Sequence, residues 1–193
     1  MQVIDTPSLL VALPQLQDPN FFRSIVLLLE SGLHGALGFI VNKPSSYTVR
    51  DLLAESDLLI PDDIPSWFGG PVEVERGLVL HNQNRDHGAT HFAHHVNLSS
   101  TIDAVQGLVL HAEKMMLEDE EQSVLYPYRF LIGYAGWGPG QLMEELLNGS
   151  WIQMPFSEKL VFDTPWTEMW SEAMRSIGVD PYEIVPSANP YLN

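Results

Sequence analysis

Two apolar runs joined by a short, glycine-bearing link constrain this chain more than any other feature. Residues 24–30 read SIVLLLE, residues 36–42 read ALGFIVN, and the link Ser31-Gly32-Leu33-His34-Gly35 holds two glycines. Runs this short and this rich in branched residues, so closely linked, predict an antiparallel hairpin. Further strand-like runs lie at 9–13, ended by Pro14, at 77–81 (GLVLH) and at 128–134 (YRFLIGY), with shorter candidates at 151–154 and 160–162. Strands in hairpin order with helices at their periphery predict an α+β chain rather than a βαβ repeat.

The helices are marked by their caps. Thr48 predicts the start of a short helix over about 49–56, and Ser100 or Thr101 the start of a longer one. Behind that cap Ile102, Val105, Leu108, Val109, Ala112, Met115 and Met116 recur at spacings of three and four, one face of a helix. It ends near Glu118-Asp119-Glu120-Glu121, where acids oppose the helix dipole and predict fraying. A third helix is predicted over 139–147, stopped around Gly149. In the last, Thr164 reads as N-cap, Pro165 as first helical residue and Gly178 as terminator. Its stripe of Trp166, Met169, Trp170, Ala173, Met174 and Ile177 predicts a helix docked on the core. No long Pro/Gly linker interrupts the chain, so 1–193 reads as one compact domain, with 186–193 expected to be a loose tail.

Composition excludes several functions. The 193 residues carry 9 basic and 25 acidic groups, a formal charge of −16. The deficit is spread: residues 1–97 hold 5 basic and 11 acidic groups, and 98–193 hold 4 and 14. Neither half is a concealed basic module, so direct nucleic-acid binding and an anionic membrane surface are not expected. There is no cysteine, which removes disulfides, thiol chemistry and Cys-based zinc sites. With no apolar stretch of about 18 residues and no basic signal-peptide start, the chain is expected to be soluble and cytoplasmic.

Few motifs carry chemistry. Phe68-Gly69-Gly70-Pro71 and the stretch 133–141 (GYAGWGPGQ) are the richest glycine turns. The second precedes a helix start, where free N–H groups can receive an anion, but it is neither a phosphate loop nor a G-x-G-x-x-G fingerprint. It reads as a tight turn that lets backbone pack against Trp137. His87, His91, His94 and His95 would share a face on a helix, as in a nitrogen-ligand metal site. Gly88 and Thr90 weaken that helix, so the stretch reads as a polar, solvated loop and no metal is expected. Serine-hydrolase, zincin and calcium-loop signatures are missing. Asp62-Asp63 and Glu144-Glu145 read as solvated faces, because adjacent helical acids diverge. Arg23, Lys43 and Arg76 are expected to be held by carboxylates in so acidic a chain.

Taken in order, LVALPQLQDPNFFRSIVLLLE (10–30), HGALGFIVNKP (34–44), FGGPVEVERGLVLH (68–81), IGYAGWGPGQLMEEL (132–146), SW (150–151) and FDTPWTEMW (162–170) resemble the AlgH/YqgE family of bacterial proteins. The resemblance implies a single α+β domain with an antiparallel-dominated, curled sheet and flanking helices. It also implies a bacterial cytosolic protein, in a family named for a presumed transcriptional regulator. Residues 82–125 depart from the family pattern, being His-rich here.

Three functions remain as expectations. The first is a non-enzymatic regulatory or binding protein acting through a protein partner or small ligand, as a monomer or weak homo-oligomer, with no cofactor. The second is an unrecognised enzyme or ligand-binding protein with a pocket near the two glycine turns. The third is a direct DNA-binding regulator, which the charge opposes. Asn42, Lys43, Arg76, His81, Tyr134, Trp137 and Gln141 are the candidate ligand or interaction residues. Their convergence on one concavity would favour the second function.

Overall fold

The hairpin forms where the sequence places it. In the computed structural model, which describes residues 4–61, 64–83, 88–117 and 127–181, strands β2 (Ile25–Gly32) and β3 (Gly35–Ile40) pair antiparallel, with Gly32 opposite Gly35. The link therefore tightens to Leu33-His34. Gly35 sits at φ +127°, and a Cβ there would collide with the carbonyl of Trp137.

β1 (Ser8–Ala12) lies antiparallel between β2 and the edge strand β10 (Trp151–Pro155). On the other side β3 pairs with the C-terminal part of the long strand β9 (Tyr128–Trp137). β9 is the axis of the sheet. Its N-terminal part takes β5 (Pro65–Phe68) in parallel, and its other edge takes β6 (Val72–His81) antiparallel. β4 (Pro44–Thr48) pairs with β5, and the short strands β7 (Thr90–His91) and β8 (Asn97–Ser99) continue the sheet beyond β6. The result is the expected α+β domain with a curled sheet in which, among the described pairings, only β5–β9 is parallel.

Strand periodicity explains the unbroken apolar runs. Leu9 and Val11 of β1, with Ile25, Leu27 and Leu29 of β2, face one core cluster; Leu10, Ala12, Val26 and Leu28 face another. Both faces are covered, so alternation with polar residues would be ruinous. Helix α4 (Trp166–Ser176) closes the first face through Met169, Trp170, Ala173 and Met174. Helix α3 (Gln141–Leu147) closes the second with Trp137 and Trp151. Over β6 and β9, helices α1 (Val49–Leu52) and α2 (Ile102–Leu117) cover a third cluster that includes Val49, Val105, Leu108 and Phe130.

Thr48 caps α1 in a capping box with Asp51, whose carboxyl is held below its usual range chiefly by the Thr48 backbone N–H. Several details differ from expectation. Ile102 is 64% exposed, because the buried stripe of α2 begins at Ala104. Residues 160–162 are no strand: they lie in a π-helical turn, Lys159–Asp163, whose apolar side chains enter the first core. Thr164 does not cap α4; its hydroxyl donates to the carbonyl of Lys159, and Pro165 takes the cap position. Gly178, at φ +80°, ends the helix as expected. The acidic run 118–121, Asp62-Asp63 and the tail 186–193 lie outside the described residues.

The stretch read as a glycine turn is largely strand, since Gly133 to Trp137 belong to β9. The two glycine motifs serve one purpose. Gly69 and Gly70 lie against the backbone of Gly133 and Tyr134, and a Cβ on Gly69, Gly70 or Gly133 would strike main-chain atoms of the other segment. They let β5, β6 and β9 cross at backbone contact.

Candidate functional site

The seven candidate residues fall into four separate places. Trp137 and Gln141 meet at Glu145 on α3. Its Oε2 accepts from the indoles of Trp137 at 2.9 Å and Trp151 at 2.7 Å, while Oε1 accepts from Gln141 Nε2 at 2.8 Å. Gln141 Oε1 in turn accepts from the backbone N–H of Gly138 at 3.0 Å. Glu145 is therefore a half-buried hub and not the solvated acid that its neighbour Glu144 is. It ties β9, α3 and β10 together.

Tyr134 and Arg76 meet at Glu73, on the bulged start of β6. The phenol donates to Glu73 Oε1 at 3.4 Å, and Arg76 pairs with Glu73 at 3.3 Å in open solvent. Partial burial, then the Glu73 charge, pushes the Tyr134 hydroxyl above its usual pKa, with Arg76 opposing. His81 is elsewhere. It is fully buried at the end of β6 and stacks on Tyr128 at 5.4 Å, against which His111 also packs.

Asn42 and Lys43 lie at the end of the β3 segment. Asn42 is spent on structure: Oδ1 accepts from the Ile25 N–H at 2.7 Å and Nδ2 donates to the Arg23 carbonyl at 2.9 Å. That clamp holds the entry to β2, and with it the turn carrying Phe22 and Arg23. Lys43 does not meet a carboxylate at hydrogen-bond distance; Nζ donates to the carbonyls of Pro19 at 3.1 Å and Asn20 at 2.9 Å. Burial lowers its pKa from the ordinary 10.5, and the nearby charge of Asp18 opposes the shift.

These two residues open onto a cleft of about 330 Å³ between the β2 and β3 ends and α4, lined also by Phe22, Arg23, Trp166, Thr167, Trp170, Ser171 and Pro181. Arg23 governs its chemistry. Its backbone is in the left-handed region, φ 53°, a conformation that costs a non-glycine residue about 1–3 kcal/mol and must be imposed by its surroundings. Its guanidinium lies 5.0 Å from the Trp170 ring centre and 5.3 Å from that of Phe22. Trp170 is itself fixed, donating from Nε1 to the Ala12 carbonyl at 2.7 Å. Contrary to expectation, no carboxylate among the described residues pairs with Arg23, so its N–H donors remain open at the cleft.

The match to known proteins covers almost the whole of this architecture: residues 9–182 fit the AlgH-like family. The chain belongs to the AlgH-like family. It is 35% identical to a UPF0301 protein of Myxococcus xanthus over 93% of this chain and 94% of the relative. It is also 35% identical to one of Chromobacterium violaceum, over 89% of each. The solution structure of the AlgH protein from Pseudomonas aeruginosa matches with a TM-score of 0.71 at 28% identity, over 93% of this chain and 94% of that one.

In this AlgH-like chain the hollow nearest the second glycine motif is a different feature. About 520 Å³ in volume, it lies between the β2–β3 hairpin and α3, is lined by Leu33, Leu142, Met143 and Leu147, and takes in none of the seven candidates. Nor do the described histidines of the His-rich stretch gather on one another. His91 Nδ1 and Asn97 Oδ1 share a 2.6 Å hydrogen bond, His94 stacks on Phe156, and His87 lies outside the described residues. Part of the predicted loop is strand, because Thr90 and His91 pair with β8. No helix among the described residues is long and apolar enough to cross a membrane.

Sequence reasoning named Asn42 and Lys43 but missed the cleft's aromatic members. Trp166 and Trp170 read as core stripe because helical spacing does not tell a buried ring from one at the rim, and Phe22 lies outside any periodic element. Trp166 and Phe22 are in fact 40% and 45% exposed. Their signal was local: in FFRS an arginine follows two aromatics, and NKP is its partner in space.

Proposed function

We propose that this AlgH-like protein is a non-enzymatic binding protein whose cleft at Arg23 and Lys43 captures an anionic group, and that any regulatory output follows from that capture rather than from contact with DNA. The observation that carries this reading is Arg23. In a chain with 9 basic and 25 acidic residues, an arginine held in a strained backbone, braced by two aromatic rings and paired with no carboxylate among the described residues is a donor set kept for something else. The lining supports binding over catalysis. Ser171 Oγ donates to the Glu168 carbonyl, and among the described residues no His, Asp or Glu lines the cleft to activate a hydroxyl.

The test uses the intrinsic fluorescence of Trp166 and Trp170 during titration with inorganic phosphate at low ionic strength. Saturable quenching is expected, with Arg23→Gln weakening it about tenfold or more, as loss of charge-assisted hydrogen bonds implies. Identical titrations of the native and Arg23→Gln proteins would reject the cleft as an anion site.

A further inference from the structure

The cleft offers more than charge. Arg23 brings a guanidinium whose five N–H donors are unused among the described residues. Lys43 has three ammonium protons, of which the carbonyls of Pro19 and Asn20 take two, leaving one. That donor count suits one phosphate group. Around it stand two large aromatic rings that the fold leaves part-exposed, Phe22 and Trp166. Trp166 is braced edge-on by the fully buried Trp67 at 6.5 Å, which fixes its orientation. A braced, part-exposed indole beside an open guanidinium recognises a flat ring and an anion on one molecule. The volume of about 330 Å³ accommodates a single ring with its anionic tail and is small for a dinucleotide.

We infer that the cleft binds a nucleoside monophosphate, with the phosphate on Arg23 and Lys43 and the base stacked on Trp166. This rests on the anion-binding reading above and adds the class of ligand to it. Longer phosphate chains are disfavoured, since two cations would face them within a molecule of net charge −16. The lining supplies only Thr167 and Ser171 as side-chain hydroxyls, so purines are expected to exceed pyrimidines by stacking area, without strong discrimination between adenine and guanine.

The experiment titrates the full chain by calorimetry with AMP, adenosine, ribose 5-phosphate and inorganic phosphate at low salt. AMP is expected to bind at least about tenfold tighter than either adenosine or ribose 5-phosphate. Trp166→Ala should bring AMP down to the level of ribose 5-phosphate while leaving ribose 5-phosphate unchanged. Arg23→Gln should weaken both. Phe22→Ala, at an exposed position, provides a second aromatic variant should Trp166→Ala unfold, and an unchanged melting temperature confirms folding in each case. AMP binding no tighter than ribose 5-phosphate, or AMP binding indifferent to both aromatic variants, overturns the nucleotide inference while the anion site stands. An acidic peptide that binds through Arg23 where AMP does not has the same meaning. If no anion in the series gives an Arg23-dependent response, both readings fall.

Discussion

Glycines that look alike in sequence differ sharply in what they do. Gly133 and Gly136 stand three positions apart in GYAGWG, yet only Gly133 has a positive φ, +68°, and main-chain atoms of Gly70, Val72 and Val74 where its Cβ would go. Gly136 faces outward, and its Cβ would meet side chains alone, the edge of the Tyr134 ring at 3.3 Å and Val72 Cγ2 at 4.0 Å. Gly133→Ala is therefore expected to cost about 3 kcal/mol or more, combining left-handed strain with a backbone clash, and Gly136→Ala less than about 1 kcal/mol. Urea unfolding of the two variants checks the order. Lys43 carries a prediction of a different kind. Because burial lowers its pKa below 10.5, the folded protein gives up this proton before the unfolded chain does, and this group's contribution to stability rises with pH in the window just below 10.5. An anion at the cleft favours the charged form and reverses the shift. Phosphate binding should then take up protons within that window and weaken as pH rises through it. Calorimetry just below pH 10.5 in two buffers of different ionisation heat should show proton uptake that Lys43→Met abolishes.

At the level of elements, α3 is held less by its own length than by one carboxylate. Its N-cap is Gly140 in the left-handed region, with no side-chain cap. Glu145 instead gathers the indoles of Trp137 and Trp151, which are 6% and 2% exposed, together with Gln141. Removing that acceptor leaves two buried donors unmet, each costing about 1–3 kcal/mol. Glu145→Ala should lower stability by about 2–5 kcal/mol, whereas Glu144→Ala, one residue away and exposed, should stay within about 0.5 kcal/mol. Thermal unfolding of the pair decides it. Gln141, whose two ends bridge Gly138 and Glu145, belongs to this brace.

For the whole molecule, charge decides which partners are accessible. A net charge of −16, spread over both halves of the chain, opposes the approach of a polyanion such as nucleic acid. Non-specific DNA binders reach about 10⁻⁴–10⁻⁶ M by neutralising phosphates with clustered cations. Among the described residues few cations are open: Arg76 and Arg175 are paired with Glu73 and Glu172, Arg129 is buried between Trp67 and Phe162, and Arg23 and Lys43 share one small cleft. No shift of a random duplex is expected at sub-micromolar protein in about 150 mM salt, and a retarded band in that assay would contradict the reading. On the proposed reading, the same field favours small anions at the Arg23 cleft, because they gain more from a fixed fork than they lose to the surrounding acids.

The sequence by itself determined the hairpin, the apolar runs of β1 and β2, the capped starts of α1 and α2, and the exclusion of a concealed basic module and of thiol chemistry. These follow from local periodicity, capping chemistry and composition, which act over a few residues or over the whole sum of charges. It left open which glycine is indispensable, because that depends on what crosses it: Gly70 comes from one motif and Gly133 from another, some sixty positions apart. It misassigned Glu145 for the same reason, since the two indoles that claim it come from β9 and β10. Only the tertiary structure chose Arg23 among the scarce cations. Trp170, brought against it from α4, holds the guanidinium over a ring instead of a carboxylate, and pairing across that distance in sequence is settled by packing and not by any neighbour along the chain.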